Sequence, residues 1–291
     1  MMSVEPARVS VVMPVLDGAA TIGGQLEALS CQTYPDGWEI VVVDNGSVDG
    51  TDAIVAAWQE RMPRLRLHRS SETRGANHAR NVGCEVASGS LLAFCDHDDL
   101  VDPGWLAAIV RGLAVYPAVG GFIERELLND EVAVATRPQR AGLLDGFGFL
   151  PYPLAANCGV RREVWTFVGG FDPAFRHGSD DVEFFWRAQL AGYQMGFLPD
   201  AVVHYRLRPD VAGMARQYYS YGRSHARLFR RFRPDGMPRS GLRSGAAAWW
   251  GLAVSAPGLV RSRRDRAVWL TRSALHWGRI VGSLQQRVLY L

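Results

Sequence analysis

Three carboxylates fall within four residues at Asp96-His97-Asp98-Asp99, directly after the uncharged run Leu91-Leu92-Ala93-Phe94-Cys95. A short apolar run that stops so abruptly reads as a buried strand delivering acids to the edge of a sheet. Carboxylates this close repel one another, so the cluster suits a cation. Hard oxygen ligands favour Mg²⁺ or Mn²⁺, ions that in turn neutralise phosphate oxygens. The same residues also suit a plainer role. Acid-rich strand ends form solvated turns, and Asp99 with Asp102-Pro103 can start the next helix. A second acid pair, Asp180-Asp181, opens a stretch that reads as a helix from Asp181 onward, with Val182, Phe185 and Leu190 on its buried side. The helix macrodipole favours charged carboxylates there. An acid in that place either caps the helix or takes a proton from a hydroxyl within hydrogen-bond reach.

These groups need a frame, and the first hundred residues spell one out. Val9–Val15 and Trp38–Asp44 read as strands, Leu65-Arg66-Leu67-His68 as a short third strand, and Leu91–Cys95 as a fourth. Helical stretches lie between them: Thr21–Ser30 with Ile22, Leu26 and Leu29 at helical spacing, then Thr51–Trp58, then Arg74–Ala87. Strand and helix alternating in this way predict an α/β fold with a mostly parallel, doubly wound sheet. Ligands of such sheets sit outside the carboxyl ends of the strands. Pro14 to Asp17, Asp44 and Asp96 to Asp99 all fall there.

In order and spacing, five stretches resemble the family 2 glycosyltransferases, which have the GT-A fold. They are Val9–Gly18, Gln32-Thr33-Tyr34-Pro35, Glu39–Thr51, Arg74–Gly83 with its Ala79-Arg80-Asn81 element, and Ala93–Asp99. The resemblance covers residues 8 to 205 and is strongest up to 115. It implies an inverting, metal-dependent transferase that moves one sugar from a nucleoside-diphosphate sugar. Carried over by position, Pro14, Val15, Leu16 and Asp17 form the loop against the nucleobase, and Asp44 reads the base ring N–H. Gly75 and Arg80 lie near the nucleotide. Asp96 and Asp98 match the D-x-D pair with His97 between them: Asp96 holds the ribose or metal-bound water, and Asp98 ligates Mn²⁺ or Mg²⁺. Asp181 matches the second member of the family's acid pair, the catalytic base. Asp180 stands where a Glu is usual, which keeps it a weaker candidate for the same role. Many relatives carry a base-stacking aromatic at the position of Leu16. With leucine there, UDP-, dTDP- and GDP-sugars all stay open.

His204 ends a further strand, Phe197–Tyr205. A lone histidine there is usually structural, yet many GT-A enzymes place a metal ligand near this point, and imidazole can join two carboxylates on Mn²⁺. Gly169-Gly170 reads as a turn needing positive φ or as backbone close to the donor sugar.

With 291 residues the chain can bury a full core plus an appendage. The expected division is a catalytic domain over 1–205, with a nucleotide-sugar half (8–115) and an acceptor half (116–205), followed by a helical tail over 206–291. Met1 to Arg8 lacks the apolar core of a signal peptide, so the expected location is cytoplasmic. Cys31, Cys84, Cys95 and Cys158 show no metal spacing and suit free thiols in a reducing compartment.

Charge is divided unevenly. From Tyr205 to Leu291 there are 17 arginines against three aspartates and no glutamate, a net +14. The remaining 15 arginines and 26 acids leave the first 204 residues at −11, a split that the overall +3 conceals. Val211, Met214, Tyr218, Tyr221, Leu228 and Phe232 repeat at helical spacing among these arginines. Gly245–Val260 is uncharged but shorter than the roughly 20 residues a membrane span needs. A basic amphipathic tail with tryptophans fits a peripheral lie on anionic lipid. It equally fits packing on the acidic catalytic domain, or a homodimer. Nucleic acid is not expected as a partner, since no binding motif accompanies the arginines.

The acceptor class stays open among lipid-linked glycans, polysaccharides and small natural products. Two other functions compete. A sugar nucleotidyltransferase would need a basic phosphate loop after the first strand, which Val15-Leu16-Asp17-Gly18 lacks. An inactive nucleotide-binding scaffold would have lost the acids that this chain keeps.

Overall fold

The structure is a computed structural model and describes residues 9–35 and 37–291; Met1 to Arg8, where no signal peptide is expected, lie outside the described residues. The chain alternates β1 (Val9–Val15), α1 (Ile22–Ser30), β2 (Trp38–Asp44), α2 (Thr51–Arg61), β3 (Leu65–Arg69), α3 (Ala76–Val86) and β4 (Leu91–Cys95). It continues through β5 (Leu100–Val101), α4 (Trp105–Val115), β6 (Ala118–Glu124), α5 (Glu131–Thr136), β7 (Asn157–Arg161), α6 (Arg162–Val168), α7 (Asp180–Leu190) and β8 (Met195–His204). Four helices follow: α8 (Val211–Phe232), α9 (Leu242–Ser255), α10 (Gly258–Arg261) and α11 (Arg263–Gln286).

The strands form one mixed sheet in the order β3-β2-β1-β4-β7-β6-β8-β5. β3, β2, β1 and β4 run parallel, as the alternation predicts. β7 runs antiparallel between β4 and β6, and β5 antiparallel to β8. Every residue of β1 and β2 is buried, as expected of strands covered on both faces. Alternate side chains go to opposite faces. Val11 and Met13 join the core under α1 and α4, and Val12 the core under α3 and α7. The register that pairs Val15 with Asp44 brings the ends of β1 and β2 level, and β4 delivers its acids beside them.

The 206–291 stretch is helical, and α8 packs against the part of the chain that carries the sheet. Ala226, Leu228, Phe229 and Phe232 of α8 share one buried core with Phe184, Phe185 and Trp186 of α7. α11 lies along α8 at backbone contact: a Cβ on Gly222 or Gly278 would collide with the facing helix, and one on Gly282 would sit 2.6 Å from the Arg223 carbonyl oxygen. No described helix is long and apolar enough to cross a membrane.

Candidate active site

The acid-bearing strand ends open onto a cleft of about 1300 Å³, walled on one side by the β1 and β4 loops and on the other by the 137–156 segment and α8. Pro14, Val15, Leu16 and Asp17 line it, as do Gly75, Arg80, Asp96, His97, Asp98, Asp180 and Asp181. Most of the residues singled out from the sequence are thus brought to one cavity.

The nucleotide end is built by short polar ties. Asp17 has a left-handed backbone (φ 51°). Its N–H donates to Ser47 Oγ at 2.9 Å, and its carboxylate accepts from the Val48 N–H at 2.9 Å. Asp44 is buried and accepts from the Ser47 N–H at 2.9 Å, without lining the cleft. The neighbouring Asn45 does line it. Its amide donates to the carbonyls of Ser70 and Thr73 and accepts from the Gly75 N–H at 2.7 Å, fastening the start of α3 to the end of β2.

Behind the acid cluster, the fully buried Gln25 of α1 donates to the Asp96 carbonyl at 2.9 Å and accepts from the Val101 N–H at 3.1 Å. Asp96, Asp98 and Asp99 can each bring one oxygen within 4.8 Å of the others. Burial, and then the neighbouring acids, push the Asp98 carboxyl above its usual range and the Asp99 carboxyl well above it. One oxygen of Asp99 accepts from the Arg206 N–H at 2.7 Å; the other is buried without a partner. Hard anionic oxygens, mutually repelled and one of them orphaned, fit a divalent cation. Asp99 therefore shares one acid cluster with Asp96 and Asp98. The sequence hid this, because Asp99 reads equally well as a helix cap.

His204 is not brought to this cluster. Its Nδ1 lies 2.8 Å from Glu124 Oε2 and its Nε2 2.9 Å from Asp102 Oδ1. Burial opposes its charge, but the two carboxylates prevail and hold its pKa above the ordinary value. With a carboxylate on each ring nitrogen it clamps the end of β8 to the end of β6 and to the residue after β5, as in the plainer of its two readings. Gly169 and Gly170 both have positive φ, and neither lines the cleft, so their role is the turn. Asn81 pins that turn by exchanging two 2.8 Å bonds with the Phe171 backbone.

Arg80 sits at the centre. It is almost fully buried, with Nη2 2.7 Å from Asp96 Oδ1 and Nη1 2.9 Å from Asp180 Oδ2. Burial disfavours its charge, but Asp96 and Asp180 outweigh that and raise its pKa. One guanidinium thus links the acid end of β4 to the start of α7. Ser179, which precedes α7, has a left-handed backbone (φ 63°) and exchanges a 2.7 Å hydrogen bond with Ser224 of α8. Strain of this kind persists where the surroundings impose it, and here it aims the acid pair into the cleft. Asp180 is taken by Arg80. Among the described residues, the Asp181 carboxylate accepts backbone N–H groups alone, from Val182 at 2.8 Å and Ala155 at 3.3 Å. Burial, then repulsion from Asp180, raises the Asp181 carboxyl to about 7. Of the pair, Asp181 is the member poised to exchange a proton near neutrality.

The family model for "Glycosyl transferase family 2" matches residues 10–167, more than half of the chain. The chain belongs to glycosyl transferase family 2. It is a glycosyltransferase of GT-A fold. A second model, for Glycosyl transferase family group 2, matches residues 91–280 and so extends into the α8–α11 region. Among curated relatives, the glycosyltransferase AglE of Haloferax volcanii is 33% identical over 216 residues, covering 72% of this chain and 70% of that protein. Among solved structures, the mannosyltransferase PcManGT of Pyrobaculum calidifontis, in complex with GDP-Man and Mn²⁺, superposes with a TM-score of 0.65 at 23% identity, covering 98% of this chain and 88% of that one. TarS of S. aureus in complex with UDP superposes with a TM-score of 0.55 at 18% identity, covering 98% and 93%.

Proposed function

We propose that this glycosyltransferase transfers one sugar from a nucleoside-diphosphate sugar to an acceptor hydroxyl by a single in-line displacement that inverts the anomeric centre. The observation that carries this reading is Asp181, a carboxyl on the cleft wall that has no ion pair among the described residues and whose pKa is raised to about 7. Asp181 takes the acceptor proton, the acceptor oxygen attacks the anomeric carbon from the opposite face, and the nucleoside diphosphate leaves. Arg80 holds Asp180 away from that role and keeps Asp96 oriented toward the nucleotide. Pro14 to Asp17, Asn45 and Gly75 bound the base and ribose, with Asp44 beneath them. A divalent cation, Mn²⁺ or Mg²⁺, fits Asp96, Asp98 and Asp99 and would neutralise charge building on the leaving diphosphate. Leu16 gives the base an apolar contact without stacking. The two structural neighbours carry GDP-Man and UDP, so uracil and guanine are the donor bases to test first.

Two variants test the assignment. Asp181→Asn should retain nucleotide binding and lose transfer by roughly 10²–10⁴-fold. Asp98→Ala should weaken nucleotide binding only when Mn²⁺ or Mg²⁺ is present. A wild-type transfer rate for Asp181→Asn would remove the base assignment.

We further propose that the outer face of the C-terminal helices meets an anionic membrane surface, bringing the cleft to a lipid-linked acceptor. Leu242, Trp250, Val254 and Val260 are largely exposed there, beside Arg243, Arg261, Arg263 and Arg264. Apolar side chains rimmed by arginine complement acidic headgroups.

A further inference from the structure

The cleft holds a second group of charges that the transfer chemistry leaves unused. Arg125, just beyond β6, lines the cleft and is only 3% exposed. Its Nη1 donates to the Pro138 carbonyl at 3.2 Å, while its buried Nε–H has no partner. Its backbone N–H donates to Gln139 at 3.1 Å, and Gln139 donates in return to the Ile123 carbonyl at 2.6 Å. These bonds clip the turn carrying Arg137 and Arg140 onto the end of β6. Both arginines also line the cleft. The Arg137 guanidinium lies 5.3 Å, 5.5 Å and 6.0 Å from the ring centres of Tyr221, Tyr218 and Tyr205. The three tyrosines fix its position and favour its charge, so that its pKa is raised although burial opposes it, and no carboxylate pairs with it among the described residues.

Of the other arginines that line the cleft, Arg80 has Asp180 and Arg208 approaches Asp98, the Arg206 N–H and Nε bond to Asp99 and to the Asp98 carbonyl, and Arg176 and Arg216 have no ion pair among the described residues. Among the described residues no such pair includes Arg125, Arg137 or Arg140. Burial and then the field of Arg137 pull the Arg125 guanidinium down to about 10, with Arg140 adding to the effect. A buried cation with an unsatisfied N–H and two like charges beside it is unfavourable unless an anion completes the group.

We propose that Arg125, Arg137 and Arg140 form a phosphate-binding subsite on the acceptor side of the cleft, holding a phosphate group carried by the acceptor. This rests on the reading of the cleft as a transferase site with Asp181 as base. The subsite adjoins that base through the 137–156 segment. Its Ala155 bonds to Asp181, and its Tyr152 feels the fields of both Asp181 and Arg137. Three guanidinium groups offer more donors than one carboxylate can accept, and they match the several oxygens and higher charge of a phosphate ester.

The test uses the full chain saturated with GDP or UDP and Mg²⁺, titrated calorimetrically with inorganic phosphate, citronellyl phosphate and citronellol. The expected result is one further site that takes both phosphates and not the alcohol. Tighter binding of citronellyl phosphate would point to a lipid phosphate, equal binding to the phosphate group alone; either supports the subsite. Arg137→Gln and the exposed Arg140→Gln should each weaken phosphate about tenfold or more while leaving nucleotide affinity unchanged. Absence of phosphate binding to the nucleotide-loaded protein overturns the proposal. So does an equal loss of nucleotide affinity in Arg140→Gln, which would assign these arginines to the donor. Failure of both nucleotides to bind would count against the transferase reading instead, and titration of the nucleotide-free protein would then decide the anion site separately.

Discussion

At the scale of single residues, the proposed chemistry rests on Arg80 and Asp181. Arg80→Met would leave Asp96 and Asp180 facing each other in a buried place without their shared cation. Removing one partner of a buried ion pair costs about 3–5 kcal/mol, which urea denaturation would read as a lower midpoint. Asp181 makes a pH prediction. Its folded-state pKa of about 7 lies above that of a carboxyl in the unfolded chain, near 3.9. The native state therefore binds more protons between those values, and stability falls as pH rises through that window. Asp181→Asn removes this loss. It should raise stability at pH 8 on the order of 1–3 kcal/mol and leave it unchanged near pH 3. The activity of the wild type should move the opposite way, with kcat/KM climbing about tenfold per pH unit up to roughly 7 and then levelling as the base becomes fully charged. A flat profile from pH 5.5 to 8 would assign the base elsewhere. Asp44 and Asp96 were legible in the sequence because apolar runs ended on them, and Asp180-Asp181 because a helical stretch began there. Arg80 was placed near the nucleotide, but its bridge to Asp180, 100 residues away, has no local signal.

At the scale of elements, two polar clamps hold the frame. Glu183 of α7 has no exposed surface and bonds Arg187 at 2.7 Å and Arg231 of α8 at 2.9 Å. Glu183→Ala should destabilise by roughly 3 kcal/mol and loosen α8, readable as faster amide exchange along that helix. His204 joins β8 to Glu124 at the end of β6 and to Asp102 after β5. Its folded pKa is raised, so its stabilisation is complete below about 6.5 and is lost as pH rises through the folded value. His204→Gln should flatten that part of the stability profile; an unchanged profile would mean the clamp carries no charge. The parallel half of the sheet followed from alternating strand and helix patterns. The clamp did not, because β5 is two residues long and pairs antiparallel with β8. Nothing in the local pattern around Leu100 announces so short a strand. His204 bonds to Glu124 and Asp102 for that reason: strand order, not the strand itself, chose its neighbours. Arg137 and Arg140 went unremarked because they lie in a turn with no periodicity, where only a close pair of basic residues stood out.

At the scale of the whole molecule, the C-terminal helices are a wall of the cleft as well as a surface. Tyr218 and Tyr221 of α8 and Leu275 of α11 line the cavity, while Trp250 on α9 is 73% exposed. If that face meets lipid, Trp250 emission should shift to the blue on vesicles containing phosphatidylglycerol and not on neutral ones. Trp250→Ser should weaken vesicle binding several-fold without changing transfer to a water-soluble acceptor. Equal binding to neutral vesicles would leave the arginines without that role. The packing of the basic helices on an acidic domain has one more consequence. A body with −11 on its first 204 residues and +14 on the remainder is an electric dipole, and a dipole near a charged plane feels a torque. If the proposed membrane surface is its partner, then within about 10 Å of that negative sheet, the screening length at moderate salt, the molecule would turn its helices toward it before any side chain touches. Successive encounters would then begin from one orientation, with the mouth of the cleft carried to the same side each time.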